Sequence, residues 1–141
     1  MADTALKVGI LACSGIGRLV STVTRQAAYR AHELRPNETV LLSSGALTAA
    51  EPEHVALLHR YPFVVIDGCR PRCGSNIARQ HNRQPAATIY LGDVLAETKI
   101  PLAGEKRRAL GEQGNKFVQI VAQRIVEAVD RVIADEIVST L

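Results

Sequence analysis

Apolar and polar positions follow one another along this chain in blocks: short apolar runs, each followed by a stretch with helical spacing. "ALKVGILAC" (residues 5–13) is a short apolar run ending at Gly15 and Gly17, which favours a buried strand over a helix. From Gly17 to Leu34, the residues Val20, Val23, Ala27, Ala31 and Leu34 recur at steps of three and four. That spacing predicts one face of an amphipathic helix, stopped by "RPN" at 35–37. "TVLLSSGAL" (39–47) is a second apolar run. "EPEHVALLHRY" (51–61) reads as a helix, with Pro52 in its first turn and acids where the helix dipole favours them. "FVVID" (63–67) predicts a third strand, "CGSNIARQHN" (73–82) a short helix, and "ATIYLGDV" (87–94) a fourth strand.

The segment 95–115 breaks the pattern. Pro101, Gly104, Gly111 and Gly114 interrupt it around the basic run "EKRR" at 105–108. It reads as a solvated loop or broken helix, with a lid over a site as the alternative. Beyond it, Phe117, Ile120, Val121, Ile125, Val129, Val132, Ile133 and Ile137 predict a long C-terminal helix over 116–139. Its stripe is assigned to core packing, with a homodimer contact as the other use. Apolar strands alternating with helices imply a parallel sheet covered on both faces. The expected architecture over residues 1–141 is a single three-layer α/β domain with a four-stranded, mainly parallel sheet, and no repeat or linker divides it.

Composition narrows the classes. A hydrophobic content of 47% and a mean hydropathy of +0.05 suit a compact chain and argue against disorder. Aromatics make up 4% and Trp is absent, so aliphatic side chains must fill the core. The net charge of +3 gives no strong nucleic-acid signal. The N-terminal apolar run is too short for a signal peptide or a spanning helix, so no membrane is expected. Three cysteines suit neither a disulfide framework nor a secreted scaffold, and the expected compartment is a reducing cytoplasm.

Those cysteines carry the candidate chemistry. In a parallel sheet all strand C-termini share one edge, where open α/β folds bind ligands. Cys13 ends the first strand, Cys69 follows the third, and Cys73 opens the next helix. If strands one and three are neighbours, the three thiols converge. A helical turn from Pro71 would place Cys69 and Cys73 about 6 Å apart at Cα, close enough to share an ion. Cys13 and Arg18 stand one residue too close for the loop of a cysteine phosphatase. Among the histidines, His54 is the first choice for a further ligand, since it begins a helix on the same edge; His32 is assigned to the surface and His81 lies too far along its helix. Asp67 is read as an Asx-type turn with Gly68, ahead of a role behind the sulfurs. Gly68 and Gly74 would allow tight passage of the chain. Arg70 and Arg72 could offset thiolate charge, hold a small anionic molecule, or lie in a solvated turn.

Three pieces, "ACSG" (12–15), "IDGC" (66–69) and Cys73, resemble in order and spacing the DGC-domain family, whose members are regarded as zinc-binding. The resemblance covers about 6–92. It implies zinc as cofactor, held by Cys13, Cys69 and Cys73, with an iron–sulfur cluster ranked behind. The family usually carries another cysteine at the end of the second strand, where this chain has Ser43 or Ser44. A four-thiolate site therefore does not transfer, and the fourth partner would be water, a histidine, Asp67 or, last, a serine. The rival readings are a redox or sulfur-transfer enzyme attacking through Cys13 with Cys69 or Cys73, and a binding module with a degenerate site.

Overall fold

The structure, a computed structural model, describes residues 6–141. Four strands, β1 (Val8–Ala12), β2 (Thr39–Leu42), β3 (Phe63–Asp67) and β4 (Ala87–Tyr90), form an all-parallel sheet in the order β2-β1-β3-β4. Among the described residues six helices accompany them: α1 (Leu19–Leu34), α2 (Ser44–Thr48), α3 (Pro52–Arg60), α4 (Cys73–Gln80), α5 (Leu91–Thr98) and α6 (Glu112–Ser139). Ala5, where the expected first strand starts, lies outside the described residues.

Strand alternation divides the interior in two. Val8, Ile10 and Ala12 of β1, with Val64 and Ile66 of β3, join the cluster made by α1 and α6. Their neighbours Leu11, Phe63 and Val65 point the other way, into a smaller cluster with Leu47, Leu58, Ile77 and Ala78. Both faces are covered, as the continuous apolar strands require. The stripe expected of the last helix is core: Phe117, Val121, Ile125 and Val129 are fully buried, whereas Ile137 is half exposed.

Two apolar runs divide where single strands are expected. The run 39–47 becomes β2 and then α2, because the Ser43 hydroxyl accepts the Ala46 N–H at 3.1 Å and starts a helix. The run 87–94 ends as a strand at Tyr90; Leu91, Val94 and Leu95 then fall at helical spacing and pack on the larger cluster. The segment 95–115 is correspondingly shorter as a loop, since α5 continues to Thr98 and α6 starts at Glu112. Glu105 accepts the Gly111 N–H at 2.7 Å, placing a carboxylate at the positive end of α6.

Candidate functional site

The sheet order creates a switch point. β1 leads through α1 to β2 on one side, and β3 leads through α4 to β4 on the other. α1 packs on one face of the sheet and α4 on the opposite face. The chain therefore parts beyond the C-termini of β1 and β3, leaving the crevice in which open α/β sheets hold ligands.

Cys13 stands on one side of this crevice. The β1–β3 ladder continues to it, with its N–H donating to the Ile66 carbonyl at 3.1 Å. Thr24 of α1 donates its hydroxyl to the Cys13 carbonyl, and the Ser21 hydroxyl lies 3.7 Å from the Cys13 sulfur. Ser21, Thr22 and Thr24 are buried polar residues that the apolar pattern does not single out. Their signal is "STVT", hydroxyls on either side of the buried Val23. Thr22 donates to the Arg107 carbonyl at 2.7 Å, and the Arg107 guanidinium donates to the Gly17 carbonyl at 3.1 Å. The loop 99–111 is thereby tied to the turn after Cys13.

Cys69 and Cys73 stand on the other side, but not on a shared helical turn. The Arg72 N–H donates to the Cys69 carbonyl at 3.0 Å, closing a turn. Arg72 is left-handed, with φ of 52°, and the helix starts only at Cys73. The expected helical turn from Pro71 is therefore replaced by a bend, which leaves Cys69 half-buried and Cys73 exposed. The Arg72 guanidinium lies over the Tyr90 ring, 4.3 Å from its centre, rather than extending freely into solvent. Arg18 and Arg70 are exposed.

Asp67 departs from the expected Asx turn. It is fully buried, and one of its oxygens accepts the N–H groups of Gly74 at 2.9 Å and Ser75 at 3.3 Å. Its other oxygen accepts the Ser75 hydroxyl. The carboxylate thus caps α4 from the end of β3 and sets Cys73 beside the sheet edge. Gly74 makes this approach possible: a Cβ there would lie 2.9 Å from Val65 Cγ1 and 3.0 Å from Asp67 Oδ1. Gly68 is close-packed on Val20 in the same way.

Although Cys73 is exposed overall, partial loss of water around its sulfur pushes the thiol up from its ordinary value, and the charges of Cys13, then Cys69, and lastly Asp67 push it further. Among the described residues, no group of three or more His, Cys, Asp or Glu side chains is placed to hold a metal ion.

The other candidate ligands are engaged elsewhere. The Ser43 N–H donates to His54 Nδ1 at 3.2 Å, and the Ser14 and Ser44 hydroxyls are 2.8 Å apart. His54 lines a cavity with these serines, and none of the three cysteines lines it. His81 Nε2 lies 2.7 Å from the Leu47 carbonyl. His32, expected on the surface, is part-buried, with Nδ1 2.7 Å from the Thr39 hydroxyl.

The DGC domain model matches residues 9–129 of this sequence. This chain belongs to the DGC-domain family. The match extends well past residue 92, through α5, the following loop and most of α6, so the DGC domain here includes the C-terminal helix as well as the cysteine-bearing edge. No curated protein and no solved structure matches the chain. Among the described residues of this DGC domain, no helix is long and apolar enough to cross a membrane.

Proposed function

We propose that this DGC-domain protein binds zinc through Cys13, Cys69 and Cys73. What supports this reading is the pairing of β1 with β3, which brings the chain positions of Cys13, Cys69 and Cys73, at a strand end, a loop and a helix start, to one edge of the sheet. Thiolate sulfur is the donor chemistry zinc prefers, and three such donors leave one coordination position for water or another molecule. Bound zinc would supply either a Lewis acid or a transferable metal at that position. Among the described residues these side chains do not stand as a group that could hold an ion, so loading includes their rearrangement. Asp67 holds the start of α4, and Thr24 and Ser21 hold the Cys13 side of the crevice, so the rearrangement falls on the Cys69–Arg72 bend.

Metal content per chain of anaerobically purified protein, with its absorption spectrum, tests the proposal. About one zinc per chain is expected, falling to background when all three cysteines become serine. Substoichiometric metal that survives that replacement refutes it, and visible absorption would point to an iron–sulfur cluster instead. The Ser43→Cys variant asks a related question. Tight zinc binding that appears only after this change would identify a binding module whose site had degenerated.

The Ser21 hydroxyl, 3.7 Å from the sulfur of the buried Cys13, favours one second reading, a thiol enzyme. In it, Cys13 attacks or carries sulfur and Cys69 or Cys73 resolves the adduct. Oxidation should then yield a disulfide between Cys13 and either Cys69 or Cys73, identified by peptide mapping and reversed by a dithiol.

A further inference from the structure

A cavity of about 480 Å³ lies between α1 and the C-terminal halves of β1 and β2. This is within the size range of small-molecule pockets, about 300–1,000 Å³. It is separate from the thiol crevice, since it faces Ala12 and Ser14 rather than Cys13.

Three features of its lining point to one kind of ligand. The floor is apolar, formed by Ile10, Ala12, Ala28, Leu41 and Leu42. Arg25 also lines it, half-buried, and among the described residues makes no hydrogen bond or ion pair. Among the described residues, no acidic side chain lines the cavity to balance that charge. A guanidinium left in this position lacks the fork-shaped acceptor it is built to meet.

The mouth supplies the third feature. Ile16 is 86% exposed and Tyr29 54% exposed, and both line this cavity. They are among the few large apolar side chains the described residues leave in water. Ile16 stands between Gly15 and Gly17 in the turn after β1. A Cβ at Gly17 would meet nothing within 4 Å, so this turn has open space around it. At the sheet edge the lining is polar. Because the Ser43 N–H donates to His54 Nδ1, the neutral His54 ring carries its proton on Nε2, and His54 lines the cavity together with Ser14, Ser43 and Ser44.

We propose that this cavity binds a small organic carboxylate with an apolar body. Arg25 meets the carboxylate, the β1–β2 floor takes the body, and Ile16 and Tyr29 cover it from solvent. This site is independent of zinc: it uses none of the cysteines, although the turn carrying Ile16 begins at Cys13.

Hexanoate is a suitable probe, titrated into the isotopically labelled full chain and followed by amide NMR shifts. Saturable shifts are expected at Ile16, Ala28 and Ser44. Arg25→Gln should weaken binding about tenfold or more, the usual effect of removing a charged hydrogen bond. Arg25→Lys should retain part of the affinity, and 1-hexanol, which has the body without the charge, should bind about tenfold more weakly than hexanoate. The variant with all three cysteines replaced by serine should bind as the unaltered chain does, which separates this proposal from the zinc reading. Absent or non-saturating shifts, equal binding by Arg25→Gln, or equal binding of hexanol overturns it. If Arg25→Gln fails to fold, the hexanol and Arg25→Lys comparisons decide.

Discussion

Asp67 accepts hydrogen bonds from the Gly74 and Ser75 N–H groups and from the Ser75 hydroxyl while fully buried. An amide of the same size presents one acceptor oxygen instead of two, so Asp67→Asn must leave a buried donor unmet or turn a buried N–H₂ towards one. A loss of about 1–3 kcal/mol is expected from urea unfolding. Alkylation of Cys73 should also quicken as the start of α4 loosens. The sequence marks Asp67 only through the local "DG" pair, because its partners lie seven and eight residues on, across a bend that a turn motif does not encode. Cys73 adds a pH dependence. Partial desolvation of its sulfur first, then the charges of Cys13 and Cys69, hold the thiol of this exposed residue above the ordinary value of 9.0. The folded state therefore keeps this proton when the unfolded chain has released it. That stabilisation is complete below the unfolded pKa and is lost as pH rises through the folded one. Thermal midpoints of metal-free protein should fall above about pH 9, and less steeply for Cys73→Ser. An identical fall in both would remove Cys73 as the cause.

Contact between α4 and β3 decides where two of the thiols stand, and a glycine sets how close it is. Adding a Cβ at Gly74 meets Val65 Cγ1 at 2.9 Å and a hydrogen-bonded carboxylate oxygen at 3.0 Å. Gly74→Ala should therefore cost about 1–3 kcal/mol, the usual cost of overpacking. Gly17→Ala, with nothing within 4 Å, should stay within about 0.5 kcal/mol. Chemical denaturation of the two variants makes the comparison; equal effects would mean that Gly74 does not hold α4 against the sheet. Neither glycine has a positive φ, so the need for Gly74 is steric, and only its packing shows it. Element types were legible wherever one period ran unbroken, as in β3 and α6. The failures came where apolar content continued across a change of period. In "TVLLSSGAL" a serine cap turns strand into helix, and in "ATIYLGDV" the change occurs between Tyr90 and Leu91 without a break in hydrophobicity.

At the scale of the molecule, the sequence supplied the parallel sheet and the shared edge, but pairing of β1 with β3 had to be assumed. That pairing separates a convergent set of thiols from three scattered ones, and it is a long-range choice that periodicity does not contain. The side-chain partners of His54, Ser14 and Ser44 were equally hidden, since they depend on how the β1 and β2 turns meet. The pairing also has a consequence for stability. Cys13 follows a strand held by α1, whereas Cys69 and Cys73 belong to the β3–α4 connection, on the opposite face. An ion joined to all three would connect the two layers across the crevice and stabilise the folded chain in proportion to its affinity. At a free zinc concentration a hundredfold above Kd the gain is about 2.7 kcal/mol, provided the unfolded chain does not bind. For a chain of this length that raises Tm by about 8 °C or more. Calorimetry of protein prepared without metal, then with zinc, should show the rise. Cys13→Ser should abolish most of it although Cys69 and Cys73 remain, because the remaining pair no longer reaches across the layers. A rise that persists in Cys13→Ser would place the metal on the β3–α4 connection alone and leave Cys13 to thiol chemistry.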